Sequence, residues 1–219
     1  MIDFPGRMAA IMFFSGCNFT CGFCHNATLM GTKKEGLPWD ELEKACNDFK
    51  EQWVNGIVLS GGEPTLDEDE LNKTIDLFID KGFAVKLDTN GSAPEKIEKV
   101  LPKLDYIAMD VKTSLSKYKD LVGYNKTENI KKSIDIIKNK SNSHEFRTTV
   151  IEGIHSEDDM REICSLVKGA KRYVLQPFIP QDDLPGEKFR RIQRTSPVFM
   201  RKMESIAQGC ADEVIARGT

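Results

Sequence analysis

The sequence contains no apolar run approaching 18 residues, so no segment of its 219 residues is expected to span a membrane. Basic residues are not in excess, since 31 Lys and Arg stand against 34 Asp and Glu, and this disfavours nucleic acid as the main partner. The amino-terminal stretch lacks the basic segment and long apolar core of a secretory signal. Six cysteines are too few for a disulfide scaffold. These absences predict a cytoplasmic protein in a reducing compartment.

The composition is that of an ordinary globular protein, with 40% hydrophobic and 30% charged residues. Its length favours one domain, residues 1–219, and no long linker, internal repeat or low-complexity tract divides it. Short β-rich runs alternate with longer stretches of helical spacing, which predicts an α/β fold with a parallel sheet. The predicted strands are Ala9–Phe14, Gly56–Leu59, Ala84–Leu87, Tyr106–Met109, Phe146–Ile151 and Tyr173–Leu175.

Local signals mark the ends of several helices between these strands. Ser156 before three acidic residues, and Ser196 before a proline, predict helix starts, while Gly82 predicts a helix end. Six strand-plus-helix units fit either an open doubly wound sheet or an incomplete (β/α) barrel. The chain is short for a full eight-fold barrel, which typically takes about 250 residues. The polar stretch Gln181–Arg194 is expected to be a mobile loop.

Three cysteines, Cys17, Cys21 and Cys24, fall within eight residues just after the first predicted strand. A loop of this length can fold its sulfurs around one iron–sulfur cluster, because no ligand need come from a distant element. Three thiolates leave one iron of a cubane cluster without a protein ligand. By analogy with catalytic zinc sites, an open coordination position indicates substrate chemistry rather than a purely structural role.

Other interpretations of this loop remain open at this point. The stretch from Cys21 to His25 matches the attachment string of c-type haem, which requires export of the protein. A zinc site with His25 as fourth ligand is sterically awkward, because His25 directly follows Cys24. Packing of the three thiols in a core is disfavoured by the Asn, Thr and Gly residues between them, which are typical of loops.

The CxxxCxxC loop, with Phe23 just before its last cysteine, resembles that of the radical S-adenosylmethionine superfamily. The resemblance implies that the three thiolates hold a [4Fe-4S] cluster and that S-adenosylmethionine chelates the fourth iron. It also implies reductive cleavage of that cofactor to a 5′-deoxyadenosyl radical, which abstracts hydrogen from a substrate. The family's fold is a partial (β/α)6 barrel, which agrees with the six units counted above.

A second motif, Ser60-Gly61-Gly62-Glu63-Pro64, follows the second predicted strand. Two adjacent glycines let backbone approach a ligand closely and expose carbonyl groups, which suits the binding of an ammonium group. A plain strand-to-helix turn would also contain them. Gly61, Gly62 and Glu63 resemble the superfamily's motif for the methionyl amino group, and the resemblance implies that role here.

Polar and charged residues also follow the later strands. In a parallel barrel these strand ends meet at one face, where loops can converge on a ligand. Each residue has an ordinary alternative, as a turn former or a surface ion pair. The Asp-Thr-Asn and Asp-x-Lys segments resemble those of glycyl-radical-enzyme activases, which implies ribose, carboxylate and monovalent-cation contacts. The resemblance extends such roles to Asp88, Asn90, Asp110, Lys112 and Arg147.

The resemblance to the anaerobic ribonucleotide reductase and pyruvate formate-lyase activating enzymes covers essentially the whole chain. It implies a glycyl-radical enzyme as partner and a flavodoxin- or ferredoxin-type reductant. Two alternatives are kept: the same radical acting on a small molecule or an RNA nucleoside, and an electron-transfer module without catalysis. The stretches that carry this resemblance are Asp3–Gly6, Cys24–Asn26, Asp110–Lys112 and Arg147–Val150.

The remaining candidates have ordinary interpretations. Cys46 and Cys164 occupy apolar helical positions and are expected to be core thiols. Cys210 has no second cysteine nearby in the sequence, which disfavours a redox role. His155 flanks a strand and is expected to be solvated. The lysines between Lys112 and Lys140 are expected to form a solvated face, with docking of an acidic partner as the alternative.

Overall fold

A parallel sheet runs through the structure, a computed structural model that describes residues 3–31 and 34–218. Within those residues seven strands lie side by side in chain order, and each neighbouring pair is parallel. The strands are β1 (Ala9–Phe14), β2 (Gly56–Gly61), β3 (Ala84–Thr89), β4 (Tyr106–Asp110), β5 (His144–Val150), β6 (Ala170–Pro177) and β7 (Ala211–Ala216). The predicted α/β fold with a parallel sheet is confirmed.

Helices connect consecutive strands, and their ends follow the predicted signals. Ser156 accepts a hydrogen bond from the backbone of Asp159, whose side chain bonds back in a capping box, and Ser196 caps the last helix. Gly82 lies at φ +80° just past α2. The helices are α1 (Trp39–Glu51), α2 (Glu68–Asp80), α3 (Pro94–Val100), α4 (Tyr118–Val122), α5 (Thr127–Lys140), α6 (Glu157–Val167), α7 (Glu187–Arg190) and α8 (Pro197–Ala207). Among the described residues, no helix combines the length and apolar character needed to cross a bilayer.

The two faces of the sheet differ in polarity, and this difference distinguishes a partial barrel from a doubly wound sheet. One face packs its apolar side chains against the helices in the main core. The other face carries charged side chains, such as Lys86, Asp88 and Arg147, that contact one another from strand to strand. In a doubly wound sheet both faces are covered by helices and are apolar. The charged face is therefore the interior of a partial (β/α) barrel, as predicted.

The floor of this interior lies at the amino ends of the strands and is apolar. Phe4, from the segment before β1, is buried there against Val58, Ala84 and Tyr106. The fully buried Lys86 lies above this floor, where its ammonium donates to the carbonyl oxygen of Asp3. The polar part of the interior is thus directed to the carboxyl ends of the strands, where the candidate site residues were expected to meet.

The described strands exceed the six predicted from the sequence, because β7 was not recognised. Its sequence, Ala-Asp-Glu-Val-Ile-Ala, has only a short apolar core and two acids. It pairs with β6 alone and forms one end of the described sheet, where charged residues are common. β1 forms the other end, so within residues 3–31 and 34–218 the barrel stays open between β1 and β7.

Candidate active site

The cysteine loop (residues 17–24) follows β1 and is held by three neighbouring segments. Cys17 pairs with Gly31 in an antiparallel bridge. The backbone N–H of Thr20 donates to the carbonyl of Val122 at the end of α4, with an N···O distance of 2.8 Å. At its far end, the carbonyl of Gly22 accepts a 2.9 Å hydrogen bond from Gly186. These bonds fix the loop at several points although it contains no regular structure.

All three cysteines of the loop line one cavity at the carboxyl ends of the strands. Its volume is about 430 Å³, within the range of small-molecule sites. The structure thus brings together residues that the sequence separates by well over a hundred positions. The predicted site residues that line this cavity are Cys17, Cys21, Phe23, Cys24, Gly61, Gly62, Asp88, Asn90, Asp110, Lys112 and Arg147.

The three thiols influence one another's charge. The pKa of Cys21 is raised to about 12, chiefly by burial; Lys112 opposes the change, while Cys24 and Cys17 contribute to it. Burial likewise raises the pKa of Cys17. A positively charged metal centre reverses this balance, because coordination displaces the thiol protons.

The donor set fits a cluster better than a single metal ion. In the parts of the chain that the structure describes, no three His, Cys, Asp or Glu side chains are arranged to hold one ion. The Nε2 atom of His25 lies 2.9 Å from the carbonyl oxygen of Ile179, so one of its two ring nitrogens already has a partner within the protein. A cubane cluster binds its thiolates at separate irons and so needs them farther apart than a lone ion does. Cys17, Cys21 and Cys24 line one cavity, so their sulfurs could be bound at separate irons of one cluster.

The two glycines at the carboxyl end of β2 permit a close approach of two segments. Gly61 has φ +116°, and a Cβ at this position would lie 2.4 Å from the carbonyl oxygen of Phe14. A Cβ on Gly62 would lie 2.0 Å from the carbonyl oxygen of Gly16. The next backbone N–H, of Glu63, donates to that same oxygen at 2.8 Å. The glycine motif is therefore in direct contact with the backbone that leads into the cysteine loop.

Replacement of Gly62 by alanine tests this contact. We expect Gly62→Ala to lower the free energy of unfolding by about 2 kcal/mol, because the added methyl group overlaps backbone that cannot move aside. Gly36→Ala is the matched control, since a Cβ there meets nothing within 4 Å. Urea unfolding of the metal-free protein measures both values. Equal stability of the two variants would show that the loops do not pack as described.

Glu63 has a different environment from the other predicted site residues, because it does not line the cavity. Its carboxylate is buried and accepts hydrogen bonds from the backbone and hydroxyl of Thr65, from the hydroxyl of Thr89 at 2.8 Å, and from the backbone of Asn90 at 2.6 Å. Burial raises its pKa, and the hydrogen bonds counteract part of that effect. The side chain thereby joins the loop after β2 to the loop after β3.

Charged side chains alternate across the interior face of β3, β4 and β5. Arg147 Nε donates to Asp110 at 2.8 Å, and its Nη1 donates to Asp88 at 3.2 Å. Lys112 Nζ lies 2.8 Å from the other oxygen of Asp110, and Lys86 Nζ lies 2.9 Å from Asp88. The parallel register places Asp110 beside Arg147, which explains the contact.

These contacts set the charge states of the groups. Burial alone would raise the pKa of Asp110, but Arg147 and Lys112 outweigh it and hold this pKa well below its usual range. Burial alone would lower the pKa of Lys112, but Asp110 outweighs it and raises this pKa. Both groups are therefore charged near neutral pH.

Some residues that support the cavity were missed or misjudged from the sequence. His155 was expected to be solvated but is buried. Its Nδ1 accepts a hydrogen bond from the backbone N–H of Ile151, and its Nε2 lies 3.0 Å from the carbonyl oxygen of Lys112. Asn18 bonds to Asn90 at 3.0 Å and so connects the cysteine loop to β3. Lys86 could have been found as a lysine within an otherwise apolar strand.

Comparison with known proteins agrees with this site. Residues 11–167 match the radical SAM superfamily. The chain is 35% identical, over 99% of its length and 91% of the relative's, to MJ1227 of Methanocaldococcus jannaschii, which carries a provisional name as a glycyl-radical enzyme activating enzyme. It is 25% identical to the pyruvate formate-lyase-activating enzyme of Clostridium pasteurianum, over 88% of this chain and 82% of that enzyme.

Solved structures share the fold. SuiB of Streptococcus suis, bound to precursor peptide SuiA, superposes with a TM-score of 0.75 at 16% identity. The match covers 97% of this chain but 49% of SuiB, so the chain spans about half of that protein. A domain of a pyruvate-formate lyase-activating enzyme from Bacteroides vulgatus gives a TM-score of 0.58 at 17% identity, over 75% of this chain and 99% of the domain. Because the superfamily match spans residues 11–167 and the chain is 35% identical to MJ1227, the chain belongs to the radical SAM superfamily.

Proposed function

We propose that this radical SAM protein installs a glycyl radical on a partner enzyme. The observation that carries the proposal is the single cavity in which the three thiols, the glycine motif and the charged strand ends meet. When bound, a [4Fe-4S] cluster and S-adenosylmethionine supply a 5′-deoxyadenosyl radical that removes an α-hydrogen from glycine. The protein's own part is to hold these groups in contact, orient them and exclude water.

The thiolates of Cys17, Cys21 and Cys24 would hold the cluster from one side of the cavity. The backbone of Gly61 and Gly62 would receive the amino group of S-adenosylmethionine, since glycine leaves the carbonyl groups accessible. The two glycines lie against the backbone that leads into the cysteine loop, so both ligand sets would share one rigid frame.

The charged strand ends would bind the polar parts of the cofactor. Lys112 keeps its positive charge because Asp110 raises its pKa, and it suits the cofactor's carboxylate. Asp88 and Asp110 offer acceptors for ribose hydroxyls or a monovalent cation, and Arg147 holds both of them in place. Phe23 and Asn90 line the same cavity and would complete the contacts to the cofactor.

The choice of a protein partner is supported by two observations. Relatives over nearly the whole chain are named as activating enzymes of glycyl-radical enzymes or of pyruvate formate-lyase. In addition, the described sheet is open between β1 and β7, and Phe13 on β1 is 54% exposed. An extended peptide segment that carries the target glycine could enter through this opening.

A second candidate is a small-molecule substrate. The chain is 26% identical to the 7-carboxy-7-deazaguanine synthase of Thermococcus kodakarensis. The match covers 80% of this chain and 76% of that enzyme. In this case the same cavity and radical would serve, but no glycyl radical would form on a partner.

The deciding experiment is anaerobic reconstitution with iron and sulfide, followed by reduction in the presence of S-adenosylmethionine. We expect 5′-deoxyadenosine to form. With a glycyl-radical enzyme from the same genome added, we expect the doublet spectrum of a glycyl radical by electron paramagnetic resonance. If 5′-deoxyadenosine forms but no glycyl-radical enzyme encoded in the genome gives the radical doublet, the activase role is wrong and the small-molecule candidate is favoured.

A further inference from the structure

A basic surface lies close to the cysteine loop. Residues 187–194 contain four basic residues, Lys188, Arg190, Arg191 and Arg194, and one acidic residue, for a local net charge of +3 in a chain whose net charge is −3. All four basic residues are exposed. We call these four residues the basic strip.

The basic strip is fixed to the cysteine loop rather than being a mobile loop. Gly186 donates its backbone N–H to the carbonyl of Gly22 at 2.9 Å. Phe189, in the middle of the strip, is buried with its ring centroid 5.5 Å from that of Phe23. A Cβ on Gly22 would lie 2.6 Å from the Phe189 ring, so the two segments fit only with glycine there.

The loop's last residues also reach the surface beside the strip. Cys24 is half-buried and His25 is exposed. The His25 ring contacts the carbonyl of Ile179, whose own side chain is 46% exposed. A partner bound over the strip would therefore meet an apolar contact and positive charge together, next to the cysteine loop.

The other lysine-rich surface, on α5, is partly neutralised by neighbouring acids. Lys132 pairs with Glu95 at 2.6 Å, and Lys140 pairs with Glu98. In the basic strip, by contrast, the ion pair found within the described residues is that of Arg191 with Glu187, whose side chains are 77% and 72% exposed. The strip thus has more uncompensated positive charge to offer a partner.

We propose that the basic strip is the docking surface for a small acidic electron-carrier protein, an inference that rests on the proposed function. Reduction requires one electron, which leaves the carrier and enters the cluster held by the three thiolates, with no bond made or broken. Electron transfer slows steeply with distance, so the donor must dock near the cysteine loop. Opposite charge speeds such encounters and sets their orientation.

The test measures the rate of cluster reduction by a reduced plant-type two-iron ferredoxin, an acidic carrier, from the bleaching of the reconstituted cluster's visible absorption. For Lys188→Glu/Arg194→Glu we expect a fall of about ten-fold or more in the second-order rate constant at about 10 mM ionic strength. The difference in rate constant between this variant and the wild type should shrink at high salt, because screening removes the attraction.

The matched control is Lys73→Glu/Lys131→Glu, which makes the same change in net charge on exposed lysines of α2 and α5, outside the strip. It should be reduced at close to the wild-type rate. Photoreduced deazaflavin, a small donor that needs no docking surface, should reduce all three proteins equally, and equal iron content confirms that the variants bind the cluster.

The proposal is overturned if ferredoxin reduces the strip variant at the wild-type rate in low salt, or if both double variants slow equally. It is also overturned if the variant is reduced normally but no longer activates a glycyl-radical enzyme, since the strip would then serve that partner. The absorption change does not depend on radical chemistry. A failed activase assay would therefore not decide the outcome of this test.

Discussion

Cys21→Ala should lose the cluster and reduce 5′-deoxyadenosine formation to the background level. Cys21 is 7% exposed and lies between the other two thiols in the sequence of the loop. With two thiolates left, two irons would lack a protein ligand, and such a cluster is readily lost to solvent. The measurement is iron and sulfide content after anaerobic reconstitution, followed by product analysis. We expect the largest effect on activity of any single substitution proposed for this chain.

Cys46→Ala is the control for this variant, because it also removes a buried thiol but on α1, outside the cavity. It should retain wild-type iron content and product formation. Far-UV circular dichroism of both metal-free variants separates loss of the cluster from loss of the fold. If Cys21→Ala and the wild type release equal amounts of 5′-deoxyadenosine, the three-cysteine cluster site is wrong.

The parts of the molecule that depend on local sequence could be predicted well. Buried strands leave apolar β-rich runs, and six of them were identified within a few residues of their observed bounds. The caps at Ser156 and Ser196 depend on side chains next to the backbone they bind. The three cysteines of the cluster loop are likewise close in sequence, so their common direction into one cavity could be anticipated.

Contacts between distant segments could not be predicted in the same way. The stretch Gln181–Arg194 was expected to be mobile because it is polar around Pro and Gly. The structure contradicts a free loop, since Leu184 and Phe189 are buried and Phe189 packs on the cysteine loop. Two apolar residues at uneven spacing give no periodic signal, so only the three-dimensional arrangement identifies their role.

Cys210 is a second case of this kind. The sequence places no cysteine near it, but the fold places its thiol beside that of Cys164 on α6. That contact lowers the pKa of Cys164 and raises the pKa of Cys210. The pairing depends on how α6 and α8 pack together, which no local pattern encodes.

Replacement of Arg147 should have the largest effect on stability among the site residues. Its side chain is 14% exposed and bridges Asp88 and Asp110, which are themselves mostly buried. Arg147→Met would leave these two carboxylates with only their lysine partners, and removal of one member of a buried ion network costs about 3 kcal/mol. We expect that loss in the urea unfolding of the metal-free protein at neutral pH, although the fold itself should persist.

The pH dependence of this loss identifies its cause. Arg147 helps to hold the pKa of Asp110 below its usual range in the folded protein, so the stabilisation is present above the ordinary carboxyl pKa and is lost as pH falls through the folded value. In Arg147→Met the folded pKa rises, and protonation relieves the unpaired charge. The stability difference between wild type and variant should therefore be largest near neutral pH and shrink as pH falls below the ordinary carboxyl pKa of about 4.

Arg161→Met provides the comparison, since Arg161 forms an exposed pair with Glu157 one helical turn away. Its loss should stay below about 0.5 kcal/mol and change little with pH, because solvent screens both charges. A loss for Arg147→Met that is equally small, or one that does not shrink in acid, would mean that the carboxylates do not depend on the guanidinium. In that case the charged row across β3, β4 and β5 could not keep Asp110 ionised or hold Asp88 and Asp110 in place, and their proposed role in binding the cofactor would fail with it.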